Sequence, residues 1–288
     1  MEKAPRGAAS RPAPLFLSPA SSSPLFLTPW LRVVGLTAVI VLTALSALAQ
    51  FGFGGGRGRF AVRPNTRYDG RFQFVRVKYQ TAPGGFWYGG WPAWGHGYPL
   101  SEQNLMNIMS SVSYLGPHIE EINTLALDDP EIAKYPLLYL IEPGWWQMTD
   151  SEAIALRAFI GKGGFVIVDD FKPTGFQGCD CWEHFEANMK RVLPEARILD
   201  IDASHPIFHS FFEIDSLDII PQAYNAGRPY FRGVFEDNDR RKPLQMIINY
   251  NTDISQFWEW SSVGLRSIEQ TNEAYKLGVN YIIYGMTH

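Results

Sequence analysis

Gly163-Gly164-Phe165-Val166-Ile167-Val168-Asp169-Asp170-Phe171 (GGFVIVDDF) decides the fold class. Two glycines precede four uninterrupted apolar residues, and two adjacent acids follow them. A strand that is apolar on both faces must be covered on both, as in the interior of a parallel sheet. PLLYLIEP, Pro136 to Pro143, is a second continuous apolar run that also ends in an acid. Between the two runs, Thr149-x-x-Glu152 forms a capping box, in which hydroxyl and carboxylate satisfy the free N–H groups of a helix start. The helix it opens places Ala153, Leu156 and Ile160 inward, and Gly161, Gly163 and Gly164 close it.

The same alternation extends in both directions. Upstream, FQFVRVKYQ (Phe72 to Gln80) has the period of two expected of a strand. Ser101 opens a helix with Leu105, Ile108, Met109, Val112 and Leu115 on one face, and Gly116-Pro117 stops it. INTLAL (Ile122 to Leu127) is a short strand. Downstream, Asp180-x-x-Glu183 starts a helix with Trp182, Phe185, Met189 and Val192 at spacings of three and four. Pro194 ends it, and ARILDID (Ala196 to Asp202) returns as a strand. Strands alternating with helices imply right-handed crossovers and a mainly parallel α/β sheet. The pattern then changes. YFRGVFEDNDRRKPLQMIINYN (Tyr230 to Asn251) reads as a β-hairpin turning at Asp237, Asn238 and Asp239. SIEQTNEAYKLGVNYIIYGMTH closes the chain as a helix with Ile268, Tyr275 and Ile282 inward.

The chain has 288 residues, 46% hydrophobic and 19% charged, with a formal net charge of −4. Arg32 precedes an uncharged stretch, Val33 to Gln50, and Ala47-Leu48-Ala49 is a small-x-small cleavage site. Residues 1–49 therefore read as a signal peptide. The competing reading is an uncleaved membrane anchor over 33–49, although that run is short for a span of about 20 residues. The Pro- and Ser-rich segment before Arg32 makes the leader unusually long. Residues 50–71, rich in Gly and Arg, read as a flexible linker, and 72–288 as the folded domain. Losing residues 1–49 removes four basic residues and one acid, leaving −7. Such a chain is poorly suited to nucleic acid, which rewards basic surfaces. Contact with a membrane is expected only through an uncleaved N-terminal segment.

GGFVIVDDF and the helix after it, HPIF at His205, and AYKLGVNYIIYGMTH at the C-terminus resemble a bacterial family, domain of unknown function 4159. The resemblance spans Phe72 to His288. It implies a flavodoxin-like fold akin to the class I glutamine amidotransferases, a three-layer sandwich with a mainly parallel sheet and, here, an added β-hairpin. It implies no activity. Amidotransferases place a nucleophilic cysteine on the turn after a buried strand, beside an activating histidine. Here that position holds Asp169-Asp170-Phe171, and Cys179 lies too far along, which argues against amidotransferase chemistry.

Ligands of open parallel sheets bind beyond the carboxyl ends of the strands. That rule gathers Glu142 and Trp145 after PLLYLI, Asp169, Asp170 and Lys172 after GFVIV, and Asp202, Ser204 and His205 after ARILDID. Asp169, Asp170, Glu142 and His205 are the candidate acids, bases or metal ligands. Each has a plainer reading: short acids cap backbone N–H groups at turns, and His205-Pro206 suits a turn. Adjacent strand residues point apart, so one acid of the 169–170 pair should face the crevice, here taken to be Asp170, and the other should cap backbone. GGFWYGGWPAWGHGYP, Gly84 to Pro99, holds six glycines and six aromatics. Trp87, Trp91, Trp94 and His96 of this stretch, with Trp145, are the candidate ligand-binding residues, with core packing as the competing role. Cys179 and Cys181 read as a small-ring disulfide or as local packing. C-x-C-x-x-H with His184 lacks the second half of a zinc site. No cofactor and no metal site is expected.

Two functions follow. The first is an exported, non-catalytic module binding a cell-envelope ligand or a protein partner. The second is an extracytoplasmic hydrolase acting on a glycan or peptide through the Asp, Glu and His residues of the sheet edge. Carboxylates that converge favour the enzyme; carboxylates that are scattered and individually capped favour the binder.

Overall fold

Both continuous apolar runs become interior strands of a seven-stranded sheet. The structure is a computed structural model that describes residues 61–87, 90–171, 179, 181–218 and 228–288. The leader 1–49, linker residues 50–60, Lys172 and Asp180 lie outside the described residues. The strands are β1 (Val75–Val77), β2 (Asn123–Leu125), β3 (Leu137–Ile141), β4 (Phe165–Phe171), β5 (Ile198–Ile201), β6 (Tyr230–Phe235) and β7 (Leu244–Tyr250). Their spatial order is β2-β1-β3-β4-β7-β6-β5. β1 pairs in parallel with β2 and β3, β3 with β4, and β4 with β7. β6 runs antiparallel to both of its neighbours. Every residue of β3 and β4 is buried, at about 1.5–3 kcal/mol for each large apolar side chain. The sheet is thus mainly parallel with an antiparallel hairpin, as the sequence pattern implies.

Five helices cover it: α1 (Leu100–Val112), α2 (Asp150–Gly161), α3 (Cys181–Val192), α4 (Ile254–Glu259) and α5 (Ile268–Thr287). The capping box at Thr149 and Glu152 is formed. The connection β1-α1-β2 steps one way along the sheet and β3-α2-β4 the other, so right-handed crossovers place α1 and α2 on opposite faces. α1, α4 and α5 pack together. They do so closely at Gly278, where a Cβ would lie 2.7 Å from Trp258 and 2.8 Å from Leu105.

Several local expectations change. Helix α1 begins at Leu100, and Ser101 is buried inside its first turn. Val112, the last residue of the helix, is exposed rather than inward. Ile268 is also exposed, at the first position of α5, whereas Ile282 is fully buried. Helix α4 carries no signal long enough to recognise in six residues. The end of the expected linker is tied to the sheet: the Asn65 side chain donates to the Thr124 carbonyl and accepts from its N–H, pairing like a strand residue. Among the described residues no helix is long and apolar enough to cross a membrane.

Candidate functional site

Strand β3 ends at Ile141, in register with Asp169 of β4. The next residue, Glu142, takes a left-handed conformation (φ 46°) and donates its N–H to the Asp169 carbonyl at 3.1 Å. Asp170 is also left-handed (φ 54°), where the pairing of β4 with β7 shifts between Ile248 and Tyr250. An irregularity of this kind re-aims a side chain that a regular strand would point elsewhere. Both carboxyl groups reach the same atom. His96 Nδ1 lies 3.0 Å from Glu142 Oε1 and 3.2 Å from Asp170 Oδ2. Glu142 and Asp170 are buried, and the His96 side chain is 22% exposed.

The aromatic loop delivers His96. Buried Arg76 of β1 pairs with Glu102 in the first turn of α1. The same guanidinium donates to the carbonyls of Trp94 and His96 and to Ser101 Oγ. One cation therefore fixes the loop by its backbone while α1 supplies the counter-charge. Trp87 Nε1 donates to Glu142 Oε2 at 3.0 Å, and its ring lies 5.3 Å from the His96 ring. Tyr79 Oη contacts the carbonyls of Ile141 (2.9 Å) and Glu142 (2.6 Å) from below. Burial opposes the charged form of His96, but its hydrogen bonds to Asp170 and Glu142 outweigh burial and raise its pKa well above the usual value. The two carboxylates thus favour the charged form of the ring.

Asp169 has a different role. It is fully buried and accepts from Tyr139 Oη (2.7 Å), Asn249 Nδ2 (3.2 Å) and the N–H groups of Ile254 (3.4 Å) and Ser255 (3.1 Å). It caps the start of α4 from across the sheet, not the loop that follows it. Burial first, and the charge of Asp253 second, push its pKa up to about 7.

Of the residues singled out from sequence, the structure brings Glu142, Asp170, His96 and Trp87 together. Asp169 stands behind them as a cap. Trp94 and Trp145 are buried. Trp145 underlies Gly85, where a Cβ would come within 2.6 Å of it. Trp94 packs in the core, whereas Trp145, though buried, lines a small cleft beside the cluster. Trp91 is 37% exposed and pairs with Trp87 in the loop's small hairpin. His205 does not join the cluster: its Nδ1 accepts from Ile207 N–H, and its ring packs on Phe235 and Tyr284. The reason is topological. β5, which precedes His205, is the far edge strand, with β6 and β7 between it and β4.

Cys179 and Cys181 form a disulfide. His184 Nε2 instead donates to the Trp146 carbonyl, so the three do not form a metal site. Cys181 sits against Gly144, where a Cβ would lie 2.3 Å from its sulfur. A small cleft lined by Glu142, Gly144, Trp145, Asp170 and Cys181 opens beside the cluster. A roomier groove, lined by Tyr68, Leu127, Lys134 and Phe159 among others, brings no comparable set of side chains together.

Sequence reasoning missed Arg76, Glu102, Asp253 and Glu259. Arg76 interrupts an apolar strand, a signal that reads as an exposed position until both neighbouring strands are known. Asp253 caps α4 through Gln256 N–H. Glu259 lies against Gly97, and burial raises its pKa.

The profile of a family described as "Domain of unknown function (DUF4159)" matches residues 73–286. No curated protein matches the chain.

Proposed function

The chain belongs to the family of domain of unknown function 4159, and from that premise we propose that it is an extracytoplasmic hydrolase acting on a glycan or peptide. The observation that carries the reading is the convergence of Glu142 and Asp170, from two strands, on His96 Nδ1 at 3.0 and 3.2 Å. Scattered, separately capped carboxylates were the alternative, and only Asp169 behaves that way. An imidazole held between two carboxylates can activate a water for hydrolysis, either by moving its proton or by presenting it on a shared cation. The left-handed backbone at Glu142 and Asp170 supports a functional role, because such strain gathers at sites the surrounding structure over-determines.

The order β2-β1-β3-β4-β7 repeats the 2-1-3-4-5 order of flavodoxin-like sheets, with the cluster at the carboxyl ends beside the β1/β3 switch point. This supports the amidotransferase-like kinship, with an acid pair where those enzymes carry cysteine. The uncharged stretch Val33 to Gln50 behind Arg32 supports placement outside the cytoplasm, and N-terminal sequencing from a native host should begin at Gln50.

The test is turnover of peptidoglycan fragments, polysaccharides and peptides by the full-length protein. Asp170→Asn should lower product release at least a hundredfold at unchanged melting temperature. Equal rates for the wild type and this variant would sink the enzyme reading. The binding-module reading is then favoured by exposed Phe86 and Trp91 beside the cluster.

A further inference from the structure

The cluster as it stands contains a mismatch in stoichiometry. A ring nitrogen carries at most one proton, yet two carboxylate oxygens converge on His96 Nδ1. One N–H serves one acceptor well and two acceptors poorly. A metal ion serves all three donors at once. Bonds of about 2.0–2.1 Å place neighbouring donors about 2.9 Å apart at a right angle and about 3.4 Å apart at the tetrahedral angle. The observed 3.0 and 3.2 Å fall between these limits, and the three donor atoms lie within 4.8 Å of one another.

We propose that His96 Nδ1, Glu142 Oε1 and Asp170 Oδ2 hold a divalent transition-metal ion of the zinc class. One imidazole nitrogen with two carboxylate oxygens suits zinc or manganese better than calcium or magnesium, which prefer all-oxygen sets. Three protein ligands leave a position for water or substrate, the composition of catalytic rather than structural zinc sites. The cleft lined by Glu142, Gly144, Trp145, Asp170 and Cys181 gives access to that position.

The supporting groups are those a metal centre needs. Trp87 Nε1 holds the second oxygen of Glu142, fixing which oxygen faces His96. Arg76 fixes the backbone of His96. Outer contacts of this kind orient ligands and tune affinity. Asp253 acts electrostatically on His96, and Glu259 lies against Gly97, so further acids surround the position a cation would occupy. This assignment rests on donor geometry and stands whether or not the protein is a hydrolase.

The experiment is calorimetric titration of the chelator-stripped full-length protein with ZnCl₂, MnCl₂ and MgCl₂. One equivalent of zinc should bind, with magnesium far weaker and the melting temperature raised by zinc. Asp170→Asn and His96→Ala should each weaken zinc binding at least a hundredfold. Trp87→Phe, which removes the supporting N–H while keeping a smaller aromatic ring, should weaken it about ten- to hundredfold, with an unchanged circular dichroism spectrum. X-ray absorption of the zinc-loaded protein should show nitrogen and oxygen ligands and no sulfur. Failure of the folded wild type to bind zinc, equal affinity in folded Asp170→Asn, or a sulfur ligand would overturn the assignment. Absent turnover with intact zinc binding would count against the hydrolase alone.

Discussion

Asp169 and Asp170 share a chemistry and a strand, and one left-handed residue separates their environments. Asp169 faces four donors in a dry interior, and Asp170 turns toward His96. In Asp169→Asn an amide N–H₂ must meet donors on one side, at a cost of about 1–3 kcal/mol by urea denaturation. Asp170→Asn replaces one of two carboxylates crowded on His96 by a neutral isostere and should cost less than the Asp169 change. A pH dependence follows in the chelated protein. The folded pKa of Asp169 is raised to about 7 from an ordinary 3.8, so the folded state holds this proton more tightly than the unfolded state. Its contribution to stability is greatest below about pH 4, declines as pH rises toward 7, and is flat above. Urea midpoints across that range should show the decline, and its absence would mean that the four donors keep Asp169 ionised throughout. The acid pair was legible in the sequence because it interrupts an apolar run. His96 was singled out as a ligand-binding candidate, but its pairing with these acids was not legible, since the grip of Arg76 on the loop backbone joins residues far apart in the chain.

The aromatic loop divides its tryptophans between core and surface. Trp94→Ala removes a side chain only 8% exposed and should lower stability by about 3–5 kcal/mol. Trp91, 37% exposed, should cost less than about 1 kcal/mol on the same change. Thermal melts of the two variants compare them directly, and equal losses would place the whole loop in the core. Arg76→Met leaves Glu102 buried without its cation, at a cost of about 3–5 kcal/mol. The double change Arg76→Met with Glu102→Leu should recover part of the stability while leaving the loop without its anchor, and with it the affinity at His96. Strands β3 and β4 and helix α2 were readable because their burial pattern and caps are local. Helix α4 was not: its six residues owe their register to Asp253 and to Asp169, a residue 85 positions away from Ile254.

Sheet order is the scale at which the sequence says least. Alternating elements implied a parallel sheet, and they did not reveal that β7 lies beside β4 while β5 is displaced to the edge. That displacement separates His205 from the acids it follows in the sequence pattern. A chain ending before Leu244 should lack a cooperative melting transition and be cleaved rapidly by trypsin, although β1 to β6 are all present. A folded fragment would show that the hairpin is an accessory. Strand β7 begins only at Leu244 and yet sits between strands on both sides. The interior of the sheet is therefore completed by residues synthesised after those of its other six strands. Until they emerge, β4 has no neighbour on that side, Asp169 has no helix to cap, and the turn carrying Asp170 has no partner to set its register. That order of synthesis defers assembly of the Glu142, Asp170 and His96 cluster until the seventh strand has been made.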